Sequence, residues 1–374
     1  MMYSFRKQAA VAGLMLSSVL TTALAQNAKL EPVFKDDTYQ LTGVAVSKTG
    51  RMFVNYPYWT DTYKYALVEV MKDGSKKPYP DESWNSWKLG GAASGQDLAN
   101  KWVCVQSEYV DDKDRLWVID PASPKQAGVY RDAHKLVCFD LATNKVIKSY
   151  SFKGIVGPQS YLNDIRVDTK REIVYITESQ QGGIAIVDIK SGKIRMALQG
   201  DPSVKADPNF KFIIDGRLLR DDKGPVVFNS DGLALTPDGN LLYYKPLSDD
   251  KLYRIETKYL LDEKIGDKDL AAKVDTLGRY TTTDGMAMDS KNRLYLGDIL
   301  NYMMLRLDAG AGTKAPLKRE TLVTDKTLLQ WPDSYAIYNG YLYITTSQID
   351  HMAKNNGGKS TRTRPYEVFR MKID

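Results

Sequence analysis

Between residues 229 and 256 apolar positions alternate with small or polar ones at period two, stop at turn residues and start again. Leu233 and Leu235 alternate with smaller neighbours, Pro237-Asp238-Gly239 supplies turn chemistry, and apolar runs follow at 241–244 and 252–255. The pattern predicts strand, turn, strand, turn, strand. So small an antiparallel sheet cannot bury both its faces alone, and further copies must cover it.

Copies are present along the chain. Thr42-Gly43-Val44-Ala45-Val46 leads to a second run at 51–54, Gln106-Ser107 to one at 115–118, and Asn163-Asp164-Ile165-Arg166-Val167 to one at 174–176. Asp231-Gly232-Leu233-Ala234-Leu235, Asp284-Gly285-Met286-Ala287-Met288 and Asp333-Ser334-Tyr335-Ala336-Ile337 lead to runs at 242–244, 294–296 and 342–344. The second residues of these openings, 43, 107, 164, 232, 285 and 334, stand 64, 57, 68, 53 and 49 apart, the size of a four-stranded unit with variable loops. Third runs follow at 66–70, 136–139, 184–187, 252–255, 304–307 and 368–371, and weaker fourth runs at 146–152, 193–198, 274–280 and 320–324. The sixth copy runs out of sequence after its third run. Residues 31–39, ahead of the first copy, are therefore expected to supply its outer strand and close a ring.

This predicts an all-β fold, a six-bladed β-propeller with four-stranded antiparallel blades, because radial repetition leaves only short, protected edges. A β-sandwich or two separate sheet domains would not need six copies in phase. Residues 78–97, 202–225 and 351–365 read as long loops, and 259–273 as a short surface helix at most. At the start, Arg6-Lys7, an apolar stretch at 9–20 and Ala23-Leu24-Ala25 before Gln26 fit a secretory signal over 1–25. The stretch is too short to span a bilayer. Residues 26–374 are then expected to form a single propeller domain, secreted or periplasmic, monomeric and without a membrane span.

Composition narrows the chemistry. The chain has 374 residues, 43% of them hydrophobic, a mean hydropathy of −0.40 and a net charge of +6. Lys and Arg are scattered among nearly as many acids without a basic helix, so nucleic acid is not an expected partner. Cys104 and Cys138 have no metal-site spacing; a disulfide and two buried thiols are both open readings. His134 and His351, the chain's 2 histidines, leave little scope for zinc sites or Ser-His-Asp hydrolysis, and read as ordinary surface residues.

The residues that open innermost propeller strands surround the axis, which places Thr42, Gln106, Asn163, Asp231, Asp284 and Asp333 around one end of the channel. All six are polar. Three carboxylates in one channel repel unless a cation, a cationic ligand or proton sharing neutralises them. Oxygen ligands drawn from Asn163, Asp231 and Asp284 suit calcium or another divalent cation. The same ring suits the ammonium group of an amine, with Tyr161, Trp331 or Tyr335 as aromatic neighbours. Asp before Gly at a strand entrance also caps turns, so a structural role stays open for any single Asp. No residue is assigned a catalytic role.

Several stretches resemble the major royal jelly protein and yellow family, in the manner of a bacterial member. They are Leu41-Thr42-Gly43-Val44-Ala45-Val46 with Asn55-Tyr56-Pro57-Tyr58-Trp59, Asp114-Arg115-Leu116-Trp117-Val118-Ile119-Asp120-Pro121, and Tyr161-Leu162-Asn163-Asp164. Ser230-Asp231-Gly232-Leu233-Ala234 and Gln330-Trp331-Pro332-Asp333 continue the match in the family's order. The resemblance implies a secreted six-bladed propeller; some insect members bind biogenic amines in the channel and others are linked to pigment formation. Thr345-Thr346-Ser347-Gln348 also resembles the family, which implies that Ser347 and Gln348 stand at the ligand end, with Ser347 where Asn is common. Asp284-Gly285-Met286 is similar, more distantly, to gluconolactonase and regucalcin propellers, which bind one divalent cation at the channel mouth. Thr42 stands where that group has Glu, and Asp231 where it has Asn.

The leading expectation is a propeller that binds a small cationic or catechol-like aromatic ligand in its channel. A metal-dependent lactonase-like hydrolase and a non-catalytic, protein-binding propeller are the alternatives.

Overall fold

The computed structural model describes residues 28–91, 97–310 and 315–373. The signal sequence expected at 1–25 lies outside them. Six four-stranded antiparallel sheets follow one another along the chain, each ordered from an innermost strand outwards. The innermost strands are Val44–Val46, Ser107–Val110, Leu162–Asp168, Ser230–Leu235, Met286–Met288 and Pro332–Tyr338. The sixth sheet is closed by the other end of the chain. Glu31–Asp36 pairs antiparallel with Tyr366–Lys372, Glu31 opposite Arg370 and Asp36 opposite Tyr366. This is the six-bladed propeller, and the closure, that the repeat implied.

Alternation explains how the sheets pack. Trp117, Ile119, Leu136 and Cys138 of the second sheet point toward the third and meet Ile165, Val167, Val174 and Ile176 there, all buried. On the next interface Tyr175, Ile184 and Ile186 meet Leu233, Leu242 and Tyr244 of the fourth sheet. Each such side chain contributes about 1.5–3 kcal/mol on leaving water, and the third sheet does so on both faces.

The far ends of the innermost strands are pinned by aspartates. Asp111 accepts from the amides of Lys113 and Arg115, from Arg115 Nε at 2.7 Å and from Trp117 Nε1 at 2.8 Å. Asp289 repeats the arrangement with Lys291, Arg293 and the Tyr295 hydroxyl, and Asp168 with Lys170 and Arg171. At the opposite ends, second-strand side chains tie blades to their neighbours at three of the junctions. Asn55 Nδ2 donates to the Val105 and Gln106 carbonyls, and Thr177 Oγ1 to that of Asp231. Thr345 Oγ1 reaches the Thr42 carbonyl across the ring closure.

Some local expectations need correction. Residues 202–225 are not plain loop: they hold two small hairpins, Ile213–Ile214 with Arg217–Leu218 and Arg220–Asp221 with Gly224–Pro225. Strands two residues long leave no periodicity to read. Lys76–Pro78, the outer strand of the first sheet, is three residues long and carries two lysines. Residues 259–273 overlap two five-residue helices, Thr257–Leu261 and Asp267–Ala271, which bury Leu260 and Leu270. Both cysteines are free and buried. His134 is buried rather than on the surface, beside Phe152, and burial lowers its pKa.

Candidate functional site

The opening residues of the six innermost strands come together around the axis, buried: Thr42 is fully enclosed, and Gln106, Asn163, Asp231, Asp284 and Asp333 are at most 6% exposed. On the acidic side, the second position of two openings explains how they come so close. A Cβ on Gly232 would lie 2.3 Å from the Asp284 carbonyl oxygen, and one on Gly285 would lie 2.6 Å from that of Asp333. Glycine at these two positions lets neighbouring blades touch through their backbones.

The ring has two unlike halves. On the neutral side the side chains satisfy one another. Thr42 Oγ1 donates to Asn55 Oδ1 at 3.2 Å, and Gln106 Nε2 to Asn163 Oδ1 at 3.1 Å. Gln106 Oε1 accepts from the Tyr161 hydroxyl at 2.7 Å, which itself accepts from Trp59 Nε1. Asn163 Nδ2 donates to Ser179 Oγ, the hydroxyl that spans to the Ser230 carbonyl.

On the acidic side donors are few. Asp231 receives one long bond, from Ser179 Oγ at 3.4 Å, and its Oδ1 has no partner among the described residues. Trp331 Nε1 donates to Asp284 Oδ2 at 2.6 Å. Burial raises all three carboxyls, Asp284 to about 7. The Asp284 charge raises Asp231 and Asp333 further, while Ser347 and Ser334 beside Asp333 draw it back. A proton shared between Asp231 and Asp284 is the arrangement that a pair of buried, touching acids adopts.

Four charged groups that the sequence reading did not single out join this axis. Asp164 extends across the channel, its Oδ2 3.3 Å from where a Cβ on Gly285 would stand. Burial raises its pKa to about 6 against the pull of Arg166. Arg166 also crosses, donating to the carbonyls of Ile165 and Met286. Lys245 is buried beside the acidic half, held by the carbonyls of Pro246 and Asp249; burial lowers it to about 8 against the nearby acids. Glu108 is 6% exposed, with both carboxyl oxygens unpartnered among the described residues.

Of the remaining predicted residues, Ser347 is buried beside Asp333. The Gln348 amide spends both ends on Thr363, donating to its carbonyl and accepting from its N–H at 2.7 Å. Gln348 thus anchors the segment that roofs the ring. That segment also reaches Gln40 and Gln126 of the first two blades, and Asn355 in it accepts from Arg217 of the hairpin insertion. Phe212 of the same insertion stacks on Trp331 at 5.8 Å. Tyr161 and Trp331 stand at the ring; Tyr335 lines a cavity at the opposite mouth, and the pKa of its hydroxyl is raised by burial and by the charges of Asp284 and Asp333.

For a divalent cation the donor set is mixed. Asp231 Oδ1 is available, but Asn163 Oδ1 is already engaged by Gln106. Among the described residues no three His, Cys, Asp or Glu side chains converge in metal-holding geometry.

A six-bladed propeller with a buried polar ring on its axis is the class that this geometry defines. The profile of the major royal jelly protein family matches residues 103–368, and the chain belongs to that family. It is 24% identical over 240 residues to major royal jelly protein 7 of Apis mellifera, covering 60% of this chain and 49% of that one. Protein yellow of Drosophila melanogaster is 27% identical over 240 residues, covering 57% and 40%. The chain thus spans about half or less of the length of these relatives. Among solved structures, a gluconolactonase from Xanthomonas campestris superposes with a TM-score of 0.55 at 10% identity, covering 96% of this chain and 94% of that one. That likeness is one of fold. Among the described residues no helix is long and apolar enough to cross a membrane.

Proposed function

We propose that this protein works outside the cytoplasm as a binding propeller, holding a small cationic or catechol-like aromatic ligand against the acidic half of the ring. The observation that supports the reading is the contrast within the ring: three buried, adjoining carboxyls have few donors while their neutral neighbours are fully engaged. An ammonium group brought to Asp231 and Asp284 replaces the proton they share, and that proton leaves to solvent. Trp331 and Tyr161 supply aromatic edges beside it. Entry requires the roof over 347–365 to move, since Gln348 holds it down.

Binding of tyramine and dopamine, measured by titration calorimetry in two buffers of different ionisation enthalpy, tests this. The expected result is saturable binding with proton release near pH 6, weakened at least tenfold in Asp231→Asn with Asp284→Asn. Binding that the double variant leaves unchanged would overturn it. A divalent-cation-dependent, lactonase-like activity is the second reading, favoured by the unpartnered Asp231 Oδ1. One tightly held calcium per chain by elemental analysis, lost with the same two substitutions, would move the assignment there. A third reading, a protein-binding propeller with an inert channel, would follow if neither ligand nor metal bound.

A further inference from the structure

The channel has a second mouth, where the innermost strands end. A cavity of about 180 Å3 opens there. Its rim is formed by half-buried Val110, Leu235, Met288 and Ile337, residues at or next to the ends of four different innermost strands. None of the six ring-opening residues lines it, so it is distinct from the acidic ring.

Its inner wall carries Glu108. This residue occupies the third position of its strand opening, where the other copies have Val44, Ile165, Leu233, Met286 and Tyr335. Its carboxyl fits because Gly43 has no side chain: a Cβ there would lie 2.7 and 2.9 Å from the two carboxyl oxygens. Both oxygens are buried and lack a donor among the described residues. A buried carboxyl left in that condition has lost its hydration with no donor in return, a cost that a purely structural residue at an apolar position would not incur.

The charges around it do not neutralise it. Arg166 also lines the cavity, but it donates to the Ile165 and Met286 carbonyls, rests on the Tyr109 ring at 5.1 Å and draws down the pKa of Asp164. With Arg166 set against Asp164, Glu108 is the acid left over. Glu108, whose pKa burial and the nearby Asp164 charge both raise, sits below an apolar rim, which suits an ammonium group on a hydrocarbon body better than a hydrated metal ion. A cavity of about this volume holds roughly one benzene-sized body.

We infer that this mouth is a second ligand site, in which Glu108 receives the ammonium group of a small alkylamine whose chain lies on Val44, Val46, Met288 and Ile337. It does not rest on the ring reading, and the two fail separately. The probes are n-butylammonium and n-butanol, followed by ligand-observed NMR on the full chain. Butylammonium should bind saturably, at least tenfold more tightly than butanol, and should do so equally in the Asp231→Asn, Asp284→Asn protein. Glu108→Gln should weaken it at least tenfold. Should that variant fold poorly, Ala336→Leu, which fills the mouth and leaves Glu108 in place, should weaken it as much. The inference is overturned by the absence of saturable binding, by butanol matching butylammonium, or by butylammonium binding that survives in Glu108→Gln and is lost in the ring variant.

Discussion

Aspartates are buried at both ends of the innermost strands, and the two groups are held in opposite ways. At the turn end Asp111, Asp168 and Asp289 each collect two backbone amides and an arginine, and Asp111 and Asp289 add an aromatic N–H or O–H. At the axial end Asp231, Asp284 and Asp333 are just as buried, yet lie against one another with few donors. Identical side chains at equal burial thus serve two purposes. The turn acids are fastenings, whose charge the fold itself satisfies. The axial acids find few donors, and their raised pKa values mean that protons, rather than the fold's own donors, answer their charge.

Substitution should separate the groups most sharply. Asp111→Ala strands the Arg115 guanidinium, the Trp117 N–H and two turn amides, and removing one partner of such a buried pair costs about 3–5 kcal/mol. Asp284→Asn keeps an oxygen for Trp331 Nε1 and removes one of three mutually repelling acids. In ligand-free protein at pH 8 it should cost nothing or add stability, within about 1 kcal/mol of wild type. Urea unfolding of the two variants checks this. A loss in Asp284→Asn as large as that in Asp111→Ala would make the axial acids fastenings as well.

A smaller effect lies in pH. The Asp284 carboxyl is raised by burial from 3.8 to about 7, so the folded chain binds its proton more tightly than the unfolded chain does. The stability this contributes is full below the unfolded value, falls as pH rises between roughly 4 and 7, and is gone above. At about 1.4 kcal/mol per unit the change is at most about 4 kcal/mol. Asp164, raised to about 6, acts in the same direction, whereas Asp36, lowered chiefly by its bond to Lys76 against its burial, weakens the fold as pH falls. The difference between wild-type and Asp284→Asn profiles isolates the axial part. Wild type should lose stability relative to the variant between pH 5 and pH 8. Parallel profiles would mean that Asp284 titrates normally.

The repeat made the fold readable, because six copies in phase leave one way to bury every sheet. It also placed the strand-opening residues on the axis without any knowledge of contacts. Glu108, Asp164 and Arg166 escaped because only the first residue of each opening was placed on the axis. Their signal was nonetheless in the alignment of the copies. Asp164 stands where three copies have Gly and two have Ser, Arg166 where four have Ala, and Glu108 where five have apolar or aromatic side chains. A charged residue in a slot that its sister copies keep small or apolar is what marks the channel. The roof left no such trace, since Gln348 and Thr363 meet only through the path of an irregular segment.

The finest test concerns Trp331, which donates a short bond to Asp284. Its indole N–H lies 2.6 Å from Asp284, and its ring face lies on Phe212. Trp331→Phe keeps an aromatic ring for Phe212 and removes only the donor. A hydrogen bond to a charged group is worth about 1.5–3 kcal/mol, and one to a neutral group about 1 kcal/mol. The substitution should therefore cost about 2 kcal/mol at pH 8, where Asp284 is ionised, and about half that at pH 5, where it is protonated. Because this bond is what holds the Asp284 pKa down against its burial, the pH-dependent step in unfolding should also move upward. Equal losses at the two pH values would show that Trp331 acts through packing against Phe212 alone, and the contrast between turn and axis would then rest on Asp231 and Asp333.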